Sequence, residues 1–268
     1  MADKNDRNPH SKLFPPSSSK RWMKCPASAV INAYGKRIVE PPHPNTLRGT
    51  LMHNASEDVF RGKLTKCADA IGRTLDGQKM DVPAATEAQG YVDYVYKRLA
   101  EDPLAVLFVE VRLFFSLLIG ADAGEAFGSG DVIIVQPTFR RVLVIDLKTG
   151  KHEVKAEGNT QLLFYGAGAL NWFGMLWPLD SVEITIYQRR ASSWEVSREY
   201  VDKFILSVRP SVARIKQLEK IFLKTGEIPK GYFVEGACDW CPVLNCPHKH
   251  KKANNSFTPK KGWLARKS

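Results

Sequence analysis

The 268-residue chain is 44% hydrophobic and carries 39 basic against 28 acidic residues, a net charge of +11. That apolar share can bury a core, which excludes a wholly disordered chain. No apolar run nears the ~18–20 residues of a membrane span, and residues 1–20 lack the apolar stretch of a signal peptide, so the expectation is a cytoplasmic protein with no membrane partner. The basic excess favours a polyanion, because each cation beside a phosphate releases condensed counterions.

Residues 1–19, rich in Ser, Pro and Lys, predict a flexible leader. A helix is expected over Lys20–Tyr34, and Pro41, Pro42 and Pro44 mark a loop after it. Thr46 is the expected N-cap of a helix over Leu47–Arg61, whose buried stripe is Leu47, Leu51, Ala55 and Val59. Another helix is expected over Ala84–Ala100. The pattern then turns to strand over Leu104–Leu118, Ala126–Gln136 and Arg141–Leu147, with Pro137–Arg140 as the turn joining the last two. Gly158–Trp172 reads as helix, Ser181–Arg190 as strand, and Ser197–Lys224 as a long helix bent at Pro210. Helices first, then three strands, a helix and a strand, predict an α/β fold with a central mixed sheet flanked by helices. No internal repeat is visible. Residues 249–268 hold seven basic and no acidic residues, which suits either a solvated tail or a DNA-tracking arm.

The strands flanking Pro137–Arg140 carry the chemistry. If the turn is centred between 138 and 139, residues whose numbers total 277 face each other across an antiparallel pair. Asp131 and Asp146 meet that condition. Lys148 lies two residues beyond Asp146 and so shares its face. Two carboxylates and an ammonium would converge at the margin of apolar strands, where charges are costly unless they bind something. Carboxylates plus substrate phosphate suit Mg²⁺. Such a cation activates the attacking water, and the lysine orients it and offsets developing charge. The competing reading is a surface ion pair of little energetic weight.

Five cysteines are present, and Cys238, Cys241 and Cys246 lie within nine residues. In a cytosolic chain that spacing points to a metal rather than disulfides. A fourth ligand could come from Cys25, Cys67, His248 or His250. A Cys₃His zinc site and a four-thiolate iron–sulfur cluster both satisfy the chemistry. Other chemistries find no support: there is no G-x-x-x-x-G-K-[ST] loop and no G-x-S-x-G elbow, and Gly128-x-Gly130 lacks the rest of a dinucleotide fingerprint.

Four motifs in order resemble the RecB-like branch of the PD-(D/E)XK nucleases. Asp146-Leu147-Lys148-Thr149-Gly150 resembles its D-x-K-T-G motif, and Gly128-Ser129-Gly130-Asp131 its G-x-x-D strand. Gln161 to Tyr165 resembles its Q-x-x-x-Y helix, and Arg48-Gly49 followed by His53 its R-G-x-x-x-H helix. The chain looks most like phage-encoded members and CRISPR-associated members with an iron–sulfur cluster.

The resemblance implies a restriction-endonuclease-like core over residues 20–248, closed by the cysteine cluster, with 249–268 as a basic tail. It implies a metal-dependent deoxyribonuclease, an exonuclease acting on DNA ends or single strands, serving phage DNA recombination or processing beside a recombination or single-strand-binding partner. Asp131, Asp146 and His53 would hold Mg²⁺ or Mn²⁺, imidazole favouring the softer ion. Lys148 would serve the water, Gln161 and Tyr165 would line the DNA path or support the site, and Glu110 would be a metal ligand or sit behind one. Cys25, Cys238, Cys241 and Cys246 would bind a 4Fe–4S cluster, with zinc the alternative, and Cys67 stays outside the pattern. Two other readings remain: a catalytically silent DNA-binding accessory with a nuclease fold, and a zinc-binding interaction protein.

Overall fold

The computed structural model describes residues 11–35, 42–235, 238, 241 and 246. The expected tail at 249–268 and His248 and His250 lie outside them. In chain order the elements are helices α1 (Ser19–Trp22), α2 (Pro26–Tyr34) and α3 (Pro44–Phe60), a small hairpin of β1 (Thr74–Leu75) and β2 (Gln78–Lys79), and helix α4 (Val82–Leu99). Strand β3 (Val106–Phe114), the short α5 (Ser116–Ile119), and strands β4 (Phe127–Gln136) and β5 (Arg141–Leu147) follow. Helix α6 (Thr160–Phe173), strands β6 (Ser181–Gln188) and β7 (Arg190–Ser197), and the long α7 (Arg198–Thr225) complete the chain.

The chain divides into two compact units. The first comprises residues 40–113 and 129–202 and contains nearly all of a five-stranded sheet in the order β3-β4-β5-β6-β7. β4 and β5 pair antiparallel, β5 and β6 parallel, β6 and β7 antiparallel, so the sheet is mixed as the sequence predicts. Alternation sorts its side chains. Val132, Ile134, Leu143, Ile145 and Leu147 pack with Leu51, Met52, Ala55, Val59, Ala88, Tyr91 and Val95 of α3 and α4. Residues between them face the other way, where α6 packs closely enough that a Cβ on Gly166 would sit 2.9 Å from Val182. Glu183, 6% exposed, is neutralised by a bidentate pair to Arg98 at 2.5 and 2.8 Å, with Arg141 at 3.4 Å.

The second unit includes, among the described residues, 11–35, 114–128 and 203–235. Val208, Val212, Ile215, Leu218 and Phe222 are buried along α7 at helical spacing. Lys216 on the same helix pairs with Glu125 at 2.5 Å, Glu219 at 2.8 Å and Asp122 at 3.1 Å. Tyr34 donates to Glu219, whose carboxylate and the surrounding burial push the phenol up to about 12.

Several expectations need correction. Residues 11–19 are not a flexible leader: Leu13, Phe14 and Ser19 are buried, and Phe14 meets Trp22 edge-on at 5.5 Å, apolar contact outweighing the local Ser/Pro composition. The helix expected at Lys20–Tyr34 breaks at Cys25, because Pro26 cannot donate to a preceding turn. Helix α3 starts at Pro44 with His43 as its cap, not at Thr46, since proline is preorganised for a first helical position. The strand expected to reach Leu118 ends at Phe114. The strand expected over Ser181–Arg190 is β6, which ends at Gln188, and a further strand, β7, follows it. The long helix expected over Ser197–Lys224 is α7, with Pro210 inside it.

Candidate active site

The paired register runs through Val132↔Ile145 and Ile133↔Val144, totals of 277, so the hairpin has the alignment expected of it. Arg140 donates its backbone N–H to Pro137 at 3.1 Å to close the turn. One step past Val132↔Ile145, toward the open end, stand Asp131 and Asp146. Regular pairing stops there because Asp131 Oδ2 accepts the backbone N–H of Leu147 at 2.8 Å, substituting a side chain for a strand carbonyl.

Asp146 is 3% exposed. Its Oδ2 lies 2.8 Å from Lys148 Nζ, a buried ion pair. Gln161 on α6 reaches both: its Nε2 donates to Asp146 Oδ1 at 3.5 Å and to the Tyr165 hydroxyl at 3.3 Å, and its Oε1 accepts from Lys148 at 3.4 Å. Burial alone would lower the lysine's pKa, but the Asp146 carboxylate outweighs it and the net shift is upward. Lys148 is therefore a fixed cation at neutral pH, not a proton acceptor. Burial raises the Tyr165 phenol, so it too keeps its proton.

On the other flank, His53 Nδ1 of α3 lies 3.4 Å from Asp131 Oδ2. Glu110 of β3 completes a triple: one ligand atom each from His53, Glu110 and Asp131 lie within 4.8 Å of one another. Burial pushes Asp131 up to about 6 against the opposing pull of His53, and Asp146 raises it further. Glu110, exposed in its overall surface, is pushed up to about 7 by local loss of water, then by Asp131 and Glu57. Glu110 and Asp131, each raised by burial and by a neighbouring acid, would be relieved by a cation bound between them.

Glu110 has φ 53°, left-handed backbone inside a strand. A non-glycine residue pays about 1–2 kcal/mol for that conformation, which suits a functional position. Sequence reading gave Glu110 a lesser place because strand alternation presumes regular backbone, and this residue breaks it. Arg48, by contrast, pairs with Glu87 at 3.5 Å and Asp81 at 3.9 Å. The glycine beside it has a use: a Cβ on Gly49 would lie 2.4 Å from Thr149 Oγ1. The R-G helix thus rests directly on the threonine that follows Lys148.

Among the cysteines, Cys25 is buried at the start of α2, with Sγ 3.9 Å from the Tyr232 carbonyl. Cys241 donates its backbone N–H to the Cys238 carbonyl at 3.1 Å, and Cys246 is buried. Cys67 belongs to the sheet-bearing unit, where burial pushes its thiol up to about 11.

A family model described as "Protein of unknown function (DUF2800)" matches residues 10–256. The chain belongs to that family. A crystal structure from Eubacterium rectale named "Putative exonuclease" resembles this DUF2800 chain at 11% identity, covering 96% of each chain with a TM-score of 0.45. Among the described residues, no helix is long and apolar enough to cross a membrane.

Proposed function

We propose that this DUF2800 protein is a metal-dependent deoxyribonuclease with a restriction-endonuclease-like core, related to the RecB-like PD-(D/E)XK enzymes. The observation that carries the reading is the convergence, at one end of the β4–β5 hairpin, of a buried carboxylate ion-paired with a lysine cation and a cluster of two acids and an imidazole.

The donor set fits a hard divalent cation, Mg²⁺ or, with His53 contributing, Mn²⁺. Asp131, Asp146 and His53 would hold it, with Glu110 beside them. When bound, such an ion supplies Lewis-acid charge at the scissile phosphate. The rest falls to the protein. Lys148, kept protonated by Asp146, holds a positive charge where the attacking water and the phosphate oxygens meet. Gln161 ties Asp146, Lys148 and Tyr165 into one network, and the lysine cannot swing away without losing both Gln161 and Asp146. The apolar strands behind them exclude water and strengthen these charges.

The preferred substrate would be DNA ends or single strands, in phage recombination or processing with a matching recombination or single-strand-binding partner. Cys25, Cys238, Cys241 and Cys246 would carry a 4Fe–4S cluster, with zinc as the alternative.

Labelled single- and double-stranded DNA incubated with Mg²⁺ or Mn²⁺ tests the assignment beside Asp146→Ala and Lys148→Ala. Wild type should cleave, and each variant should lose at least about 100-fold in rate while still binding DNA. DNA binding without cleavage in wild type would favour the silent accessory instead.

A further inference from the structure

Beyond the catalytic centre, the same end of the sheet carries a second basic feature. In the parallel pair, Asp146 stands opposite Ile186 and Leu147 opposite Tyr187. Lys148 then donates its backbone N–H to Tyr187 at 2.9 Å. The next residues are Gln188, Arg189 and Arg190, the tip of the β6–β7 hairpin, which lies beside the loop that follows Lys148. Together they line a cleft of about 430 Å³ formed by Lys151, Glu153, Gln188, Arg189 and Arg190.

The cleft is built, not incidental. Gln188 donates from Nε2 to the carbonyls of Gly150 and of His152, the latter at 2.9 Å, and accepts from the Val154 N–H at 3.0 Å. One amide side chain thereby fixes the loop against the hairpin. Arg189 sits at φ 60°. Glycine or asparagine would occupy that tip with less strain, yet a cation stands there. Arg140 has a similar backbone, but its guanidinium is engaged by Asp180 at 2.7 Å. Among the described residues the acid beside Arg189 is Glu87 at 4.0 Å, and the one beside Arg190 is the exposed Glu153 at 3.5 Å. Three cations therefore face one acid in the lining.

We propose that the cleft of Lys151, Gln188, Arg189 and Arg190 is a phosphate-binding subsite that holds the DNA strand next to the Asp131–Asp146–Lys148 centre. The identification of the polyanion as DNA rests on the nuclease reading. The subsite itself rests on the cleft, the fixed loop and the strained arginine. Lys151 is three residues from Lys148, at most ~10 Å of backbone, so the two positions can touch one strand within about three nucleotide steps. Arginine in a rigid turn can bracket a phosphate bidentately.

Binding of a fluorescent single-stranded oligonucleotide, with no added divalent cation, is measured against salt for wild type, Arg189→Gly, the triple variant Lys151→Ser/Arg189→Gly/Arg190→Ser, and Arg140→Gln as a control. Each lost contact should flatten the slope of log affinity against log salt by about 0.7, so the triple variant should lose about 2 and the control nothing. Arg189→Gly should also melt about 2–4 °C higher, because glycine relieves the turn. Weaker binding by a more stable protein cannot be put down to misfolding. Equal losses for strands with a 5′-phosphate and a 5′-hydroxyl assign an internal diester, and losses confined to the former assign a terminal phosphate. Unchanged slopes in the triple variant, or an equal change in Arg140→Gln, overturn the subsite. Cleavage is not read in this experiment, so a chain that never cuts DNA could still show the subsite, and an active nuclease could still lack it.

Discussion

At Asp131 a carboxyl is held where its charge is unwelcome. Burial, then Asp146, raise it from 3.8 to about 6 against the help of His53 and the Leu147 N–H. A raised folded pKa has a definite sign in the linkage relation. The stability it permits is fully present below the unfolded value near 4, declines as pH rises through about 6, and is absent above it. A carboxyl raised from 3.8 to about 6 corresponds to about 3 kcal/mol at most. Asp131→Asn removes the charge and keeps an oxygen to accept the Leu147 N–H. In metal-free urea denaturation the variant should therefore be more stable than wild type at pH 8, by up to about 3 kcal/mol, and equal to it near pH 4. Calorimetric titration with Mn²⁺ should show its binding lost. A variant less stable than wild type at pH 8 would mean that Asp131 is a structural anchor and not a strained ligand.

At the scale of elements, the site depends on how closely α3 lies on the loop after β5. A Cβ at position 49 would stand 2.4 Å from Thr149 Oγ1, and a β-branched threonine has little rotamer freedom with which to retreat. Alanine is otherwise favoured over glycine inside a helix by about 1 kcal/mol. Any loss in Gly49→Ala is therefore a lower bound on the clash, which should cost about 1–3 kcal/mol and reduce cleavage by displacing Lys148. Thr149→Ala removes the obstructing hydroxyl. The double variant should recover part of both losses, a coupling that thermal melts and cleavage rates can each measure. Independent, additive effects would show that the helix does not position the loop. The hairpin beneath was legible because four residues, Pro137 to Arg140, fix its turn, and a period of two then fixes every partner. Strands β1, β2 and β7 were not legible. β7 begins Arg-Ala-Ser-Ser with its first four residues exposed, so no apolar alternation marks it. Glu110 was placed only by likeness, since its role needs an unpredictable backbone angle and a contact with a helix more than 50 residues away. His53 stands 3.4 Å from Asp131, and Gln161 donates to Asp146 at 3.5 Å.

For the molecule as a whole, the weak point is the unit assembled from distant pieces of chain. Residues 11–35, 114–128 and the helix from 203 onward must find each other before any of their contacts form. Cys25 belongs to the first piece, and Cys238, Cys241 and Cys246 to the last. A metal joining Cys25 to Cys238 would close a loop of more than 200 residues, and in the chain-entropy account such a link contributes about 5 kcal/mol. That is comparable to the whole stability of a typical domain. Cys25→Ser, or removal of the bound metal by a chelator, should therefore melt this unit well below the sheet-bearing one. Calorimetry should show two transitions in place of one. Hydrogen exchange should accelerate in α2 and in α7 beyond Lys203, with β4, β5 and β6 still protected. Charge-transfer absorption in the visible range would assign the iron–sulfur cluster, and a colourless protein with one equivalent of zinc would assign the alternative. If Cys25→Ser melts and exchanges as wild type does and retains the same metal content, the four cysteines are not a staple, and contacts such as the α7 stripe and the Lys216 ion pairs hold the second unit without them.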